Sequence, residues 1–193
     1  MDDNSTKILI STYNYKNLYF AVGVSKGKIV WIALPQENEK DAITEISNHY
    51  PKDKNIQFEI SNNYTDIAKK ICKVYNGKDV KFHLDSLDLD VDKSKISSIK
   101  TPFEKDVLLE VAKIPYGEVR TYKQIAEALG TKGYQAVGTA VGKNPFPIII
   151  PCHRVVKSNL RVGEYRGGSE MKNEILKNEG IKIKENKIIK KWN

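Results

Sequence analysis

The sequence predicts an α/β protein in two domains. Three observations carry this reading. Two β-rich runs near the start pair as a hairpin, helix-spaced apolar residues fill much of the rest, and a polar stretch without aromatics, Asp85 to Lys100, lies between. The boundary falls within that stretch, giving domains 1–97 and 98–193. With 40 % hydrophobic and 29 % charged residues in 193, the chain has the composition of a folded protein rather than a long disordered tail.

In the first half, Lys7 to Tyr15 begins apolar and then alternates, as a strand does. Leu18 to Val24 and Lys28 to Leu34 flank Ser25-Lys26-Gly27, a hairpin signal, and Pro35 ends the second run. Glu37 to Tyr50 reads as a helix with Ala42, Ile43, Ile46 and Tyr50 inward. Asn62 to Tyr75 reads as another, closed by Asn76-Gly77. Val80 to Leu84 is expected as a short strand, and Asp85 to Lys100 as the linker. Cys72 falls on an apolar helix face and reads as a buried thiol. His49 and His83 lack a second ligand at metal spacing and read as structural.

The second half is helical. Thr101 suits an N-cap and Pro102 the first helical position, with Phe103, Val107, Leu108, Val111 and Ala112 inward. Pro115-Tyr116-Gly117 is a turn. Thr121 caps a short helix to Leu129, Gly130 to Gly133 breaks it, and a second short helix runs from Tyr134 to Val141. The pair is either a helix-turn-helix or an ordinary helical hairpin. The second helix is rich in small residues (Ala136, Gly138, Thr139, Ala140), which permit close approach to a packed helix or to a DNA groove.

Charge is uneven. Residues 1–100 carry 15 Lys+Arg against 14 Asp+Glu, whereas residues 101–193 carry 17 against 10, nearly all of the net +8. All four arginines (Arg120, Arg154, Arg161, Arg166) lie in the basic half. This asymmetry points to a polyanion, with nucleic acid the leading partner, against ordinary solubilising lysine. Two cysteines exclude a disulfide-stapled scaffold and a four-cysteine zinc site. No apolar run approaches the ~20 residues of a membrane span. The acidic, polar N-terminus shows no signal peptide, so a cytoplasmic protein is expected.

The most informative segment runs from Asn144 to Val156. Ile148 to Ile150 reads as a short buried strand, and Pro151 takes the chain out of regular structure. Cys152 follows, beside His153 and Arg154, two neighbours expected to favour thiolate over thiol. Neighbours on a strand point to opposite faces, so His153 reaches Cys152 only through a turn or a bridging water.

This segment resembles the O6-alkylguanine-DNA alkyltransferase family. Pro151-Cys152-His153-Arg154-Val155 carries the match, with Asn144-Pro145-Phe146-Pro147, Tyr116-Gly117-Glu118-Val119, Thr121-Tyr122 and Gly163 to Gly168. Lys172 and Glu179-Gly180 extend it, so it covers about residues 101–180 in the family's order. The resemblance implies a ribonuclease-H-like N-terminal α/β domain and a C-terminal helical domain with a winged-helix-like helix-turn-helix. It implies DNA repair in which Cys152 takes the alkyl group from O6-alkylguanine once, inactivating the protein. His153 and Glu179 would relay the thiol proton through water, lowering a pKa of ~8.5 toward neutrality. Tyr122 would hydrogen-bond the guanine ring as it leaves, and Asn144 would brace the turn before the cysteine. Val155 and Tyr165 would line the base pocket, with backbone near Arg166 reading the guanine edge.

The partner implied is double-stranded DNA containing alkylated guanine. The base must be flipped out, and Ala136, Gly138 and Ala140 match the small residues that let the second short helix approach the minor groove. No cofactor, metal or membrane partner is implied, and a monomer is expected. One departure stands out. Gln135 occupies the position of the family's intercalating arginine, in a stretch one residue shorter than usual. Tyr134 beside it is the alternative wedge, and weaker flipping is expected. Two rival readings are a binding-only sensor, whose relatives lack the cysteine, and a cysteine hydrolase, for which no oxyanion-hole loop is recognisable.

Overall fold

The computed structural model describes residues 6–52, 55–91 and 96–189. The chain divides into two compact units. One comprises residues 1–72 with 80–100, the other residues 73–79 with 101–193.

The first unit is built on a four-stranded mixed sheet of order β3-β2-β1-β4. Strands β1 (Thr6–Tyr15), β2 (Leu18–Ser25) and β3 (Lys28–Gln36) form an antiparallel meander. Pro35 does not end the hairpin. It sits inside β3, an edge strand, where a register shift absorbs a residue without an N–H. Helix α1 (Glu39–His49) starts at Asn38, whose side chain accepts from the Asp41 N–H at 2.9 Å, and buries Ala42 and Ile46 with Ile8, Ile10, Ala21 and Val30. Gly23 is needed under this helix, because a Cβ there would lie 3.0 Å from Ile46 Cγ2. His49 stacks on Trp31 with centroids 3.5 Å apart and shares a hydrogen bond with Ser98 Oγ at 3.1 Å. Helix α2 covers Thr65–Tyr75, with Cys72 buried.

Two expectations are corrected here. The fourth strand is not Val80 to Leu84 but β4 (Ile56–Ile60), parallel to β1 with Thr6 opposite Ile56. Residues 80–84 form no strand and lead into a 3-10 turn at Leu84–Ser86. Nor is 85–100 a free linker. Leu87 and Ile99 are buried, the Asp88 N–H donates to Ile29 O at 2.9 Å, and Ser98 Oγ donates to Val30 O at 3.2 Å. The segment covers the open edge of β3, so its polar composition reflects an edge guard with two apolar anchors.

In the second unit, helix α3 (Pro102–Ala112) begins at Thr101, whose hydroxyl accepts from the Glu104 N–H at 3.1 Å. Its inward face is Val107, Leu108 and Val111, while Phe103 and Ala112 are half-buried. Glu104 and Glu110 are buried too, paired with Lys143 at 2.8 Å and with Arg120 at 3.0 Å respectively. Strand β5 (Arg120–Thr121) leads into α4 (Tyr122–Ala128), whose capping box joins Thr121 and Gln124. Helix α5 (Tyr134–Gly142) follows after the Gly130–Gly133 turn and packs on α3 and α4. Strand β6 (Val155–Val156) pairs in parallel with β5, Arg120 opposite Val155. Helix α6 (Gly168–Asn178) precedes a small hairpin of β7 (Ile183–Lys184) and β8 (Lys187–Ile188). Val119, Val156, Val162, Leu176 and Ile188 form one core cluster. Ile181 and Ile183 pack against it, Ile189 is exposed, and Trp192 lies outside the described residues. Among the described residues, no helix is long and apolar enough to cross a membrane.

Candidate active site

The segment before Cys152 is a turn, not the expected strand. Residues 147 and 150 make an isolated bridge, and Ile148 has φ +74°, a left-handed conformation uncommon for a β-branched residue. Asn144 braces this turn from within. Its Nδ2 donates to Ile150 O at 2.8 Å and its Oδ1 accepts from the Phe146 N–H at 2.9 Å. Cys152–Arg154 then forms one turn of 3-10 helix, which replaces the strand geometry considered above.

The turn sends three consecutive side chains to different places. Cys152, 7 % exposed, faces a small cavity of about 30 Å³. Tyr122, Asn144, Pro147, Glu164, Tyr165 and Arg166 line it, together with Val141 and Gly142. The β5–β6 pairing brings Tyr122 here, since it starts α4 directly after β5 while Cys152 lies just before β6. His153 is fully buried behind the cavity, and its Nε2 lies 3.0 Å from Glu179 Oε1. Arg154 Nε and Nη2 donate to the same carboxylate at 2.9 and 2.8 Å, and Nη1 donates to Ile114 O at 2.8 Å. Glu179 itself caps the C-terminus of α6.

The electrostatics follow from burial. Desolvation works against the charge of Glu179, but hydrogen bonds from His153 and Arg154 outweigh it and hold the carboxyl below its ordinary value. Burial lowers the His153 pKa despite that carboxylate, so the imidazole is neutral. With Nε2–H donating to Glu179, Nδ1 carries the lone pair, and it has no hydrogen-bond partner among the described residues. Burial also pushes the Cys152 thiol up; a hydrogen bond with Asn144 and the charges of Arg166 and Lys172 oppose this without overcoming it. The expectation that His153 and Arg154 favour thiolate is therefore corrected. One is uncharged and the other is neutralised by Glu179. Burial and the neighbouring sulfur raise Tyr122, keeping it a phenol able to donate.

Two further positions differ from expectation. Val155 lies fully buried in β6 and does not line the cavity; its carbonyl accepts from Lys172 Nζ at 2.6 Å. Ala140 is 2 % exposed and faces the core with Val137 and Val141, so it cannot belong to the outer face of α5. Tyr134, Gln135 and Ala136 are exposed, and Gly138 is half-buried. Sequence reasoning left Lys172 without a role. It is fully buried, held down to about 8 chiefly by desolvation, and bridges Val155 O to Glu164 O. A lysine in the middle of an amphipathic helix gives no sequence signal of such burial. No group of three or more metal-ligating residues occurs among the described residues.

The fold and site define an α/β protein with a buried cysteine facing a pocket in its helical unit. Residues 102–181 match the family described as 6-O-methylguanine DNA methyltransferase, DNA binding domain. The methylated-DNA–protein-cysteine methyltransferase of Saccharolobus islandicus (strain L.S.2.15 / Lassen #1) is 52 % identical over 89 residues, 46 % of this chain and 58 % of the relative. That of Methanosarcina barkeri is 39 % identical over 115 residues, 59 % of this chain and 66 % of the relative. The chain thus spans about six-tenths of the length of the curated relatives it matches. The crystal structure of O6-methylguanine-DNA methyltransferase from Pyrococcus kodakaraensis superposes with a TM-score of 0.64 at 29 % identity, covering 90 % of this chain and 99 % of that one. Residues 102–181, less than half of the chain, are thus similar to the DNA-binding domain of the 6-O-methylguanine DNA methyltransferase family.

Proposed function

We propose that this protein repairs DNA by moving the alkyl group of O6-alkylguanine onto Cys152, once per molecule. The observation that carries the reading is the pairing of a cavity-facing thiol with a buried neutral histidine whose Nδ1 is unpartnered and whose Nε2 is anchored on Glu179. The sulfur attacks the alkyl carbon in line. An S–C bond forms as the C–O6 bond breaks, and the electron pair leaves with the guanine oxygen. The thiol proton passes to His153 Nδ1 through a bridging water, and Glu179 stabilises the imidazolium that results. Tyr122 donates a hydrogen bond to the departing guanine. Tyr165 and the backbone near Arg166 hold the base, and Asn144 keeps the Ile148 turn in place.

The product thioether is not an acyl thioester and resists hydrolysis, so the protein is consumed. The exposed residues Tyr134, Gln135 and Ala136, with Gly138, are assigned to the minor-groove face of a winged-helix-like helix-turn-helix that extrudes the base. A Cβ on Gly138 would meet its nearest neighbour, Tyr122 Cδ1, at an ordinary 4.0 Å, so internal packing does not require a glycine there, which supports an outward role for its small size. Residues 1–97 are read as a ribonuclease-H-like domain and 98–193 as the DNA-binding and transfer domain, in a cytoplasmic, monomeric protein that needs no cofactor.

The test is intact mass after incubation with duplex DNA containing O6-methylguanine. A gain of about 14 Da mapping to the Cys152 peptide, absent in Cys152→Ala, is expected. Tight binding with no mass gain supports a sensor instead, and turnover of an ester supports a hydrolase.

A further inference from the structure

Residues 73–79 come early in the chain but belong to the second unit. They make a compact set of contacts with the last turns of α6. Tyr75 is buried, and its hydroxyl donates to Glu174 Oε2 at 3.0 Å. The Asn178 side-chain amide, one turn further along α6, donates to Tyr75 O at 2.9 Å. Gly77 has φ +79°, and a Cβ there would lie 2.2 Å from Asn178 O, so the two backbones touch. The next residue of α6 is its cap, Glu179.

A second arm runs through Tyr116. Its hydroxyl donates to Gly77 O at 2.8 Å, while the Arg154 guanidinium sits 5.7 Å from its ring centroid. The same short segment therefore reaches the Glu179 carboxylate along α6 and the Arg154 guanidinium through Tyr116. Those two groups anchor His153.

We propose that residues 75–77 act as a clip that positions the Glu179–Arg154–His153 cluster, with Tyr75 and Tyr116 as positioning residues for the reactivity of Cys152. This rests on Cys152 being the nucleophile assigned above. Glu179 is effective only if its oxygen stays within hydrogen-bond reach of Nε2, because that bond fixes the tautomer and supports a proton arriving at Nδ1. A helix C-terminus frays unless tied. The end of α6 has its own cap, with Gly180 N–H on Lys177 O at 2.9 Å and Ile181 N–H on Leu176 O at 3.0 Å, and the distant segment adds side-chain ties at Glu174 and Asn178.

The experiment is the pH–rate profile of Cys152 alkylation by iodoacetamide in the full chain, read by mapping the Cys152 peptide. Tyr75→Phe and Tyr116→Phe each remove one hydroxyl and keep the ring. Each is expected to move the reactivity midpoint to higher pH and slow labelling near neutrality about fivefold, the order expected for one hydrogen bond, with the thermal transition retained. Glu174→Gln keeps an oxygen for the Tyr75 hydroxyl and is expected to keep the wild-type profile, whereas Glu174→Ala copies Tyr75→Phe. Unchanged profiles in both tyrosine variants overturn the proposal. So does labelling faster than wild type, which would mean the hydroxyls hold the fold closed rather than the cluster in place. The probe is not DNA. A protein that fails to react with O6-methylguanine DNA while showing these shifts would refute the repair function and leave the clip standing.

Discussion

Glu179 holds a full charge out of water because three N–H groups from two side chains point at it. Its native pKa lies below the ~4.3 of an unfolded glutamate. The stability it contributes is therefore complete above that value and disappears as pH falls through the lower native one. Glu179→Gln is expected to flatten the acid limb of urea-unfolding midpoints measured from about pH 6 to pH 3, and to slow alkyl transfer roughly 10²-fold in single-turnover assays. His153 acts in the same direction at higher pH. Burial holds it below ~6.5, so its contribution is intact above that pH and declines below it as the unfolded chain takes up the proton first. Transfer rates are expected to fall over the same range. At this scale the sequence was informative where chemistry is encoded by residue type, as for Cys152, His153, Tyr122 and Asn144. It was silent where chemistry depends on enclosure. Nothing in the order Cys-His-Arg says that Arg154 turns inward to Glu179, or that burial outweighs every nearby positive charge at the sulfur.

Helix α5 combines two requirements on about two turns of helix. Val137, Ala140 and Val141 face the core, while Tyr134, Gln135 and Ala136 face outward. Gly138→Ala fits the fold and is expected to raise stability by up to about 1 kcal/mol through helix propensity. If the outer face meets a DNA groove, the same change weakens duplex binding, which titration of a labelled duplex measures. Gln135→Arg is expected to increase the rate of duplex repair without altering iodoacetamide labelling of Cys152. Helices were legible because their caps are local: Asn38, Thr101 and Thr121 each bond a backbone N–H three residues on. Strands β1 to β3 were legible too, from their patterning and the Ser25-Lys26-Gly27 turn, but β4 was not, because its partner is distant in sequence. Ile56 to Ile60 pairs with β1 across a distance the local pattern does not encode, and Ile148 to Ile150, equally apolar, finds no ladder and turns.

The two halves of the molecule differ in charge, and the difference has a measurable consequence. Residues 101–193 carry a net +7 against +1 for residues 1–100, so affinity for duplex DNA is expected to drop steeply with added salt. Lys132→Ala, in the exposed turn between α4 and α5, is expected to reduce the slope of log affinity on log salt by about one if that side chain meets a phosphate. The partition into an α/β half and a helical half was readable from composition and spacing. The exchange of residues 73–79 into the second unit was not, because it depends on one close backbone approach at Gly77. The enclosure of Cys152 also bears on the protein's lifetime in the cell. A sulfur that is 7 % exposed and whose thiol pKa is pushed up by burial is expected to react sluggishly with peroxide and with oxidised glutathione. On the proposed function, copies that have met no damaged base are then expected to keep Cys152 unoxidised through peroxide exposure, which mapping of its peptide measures.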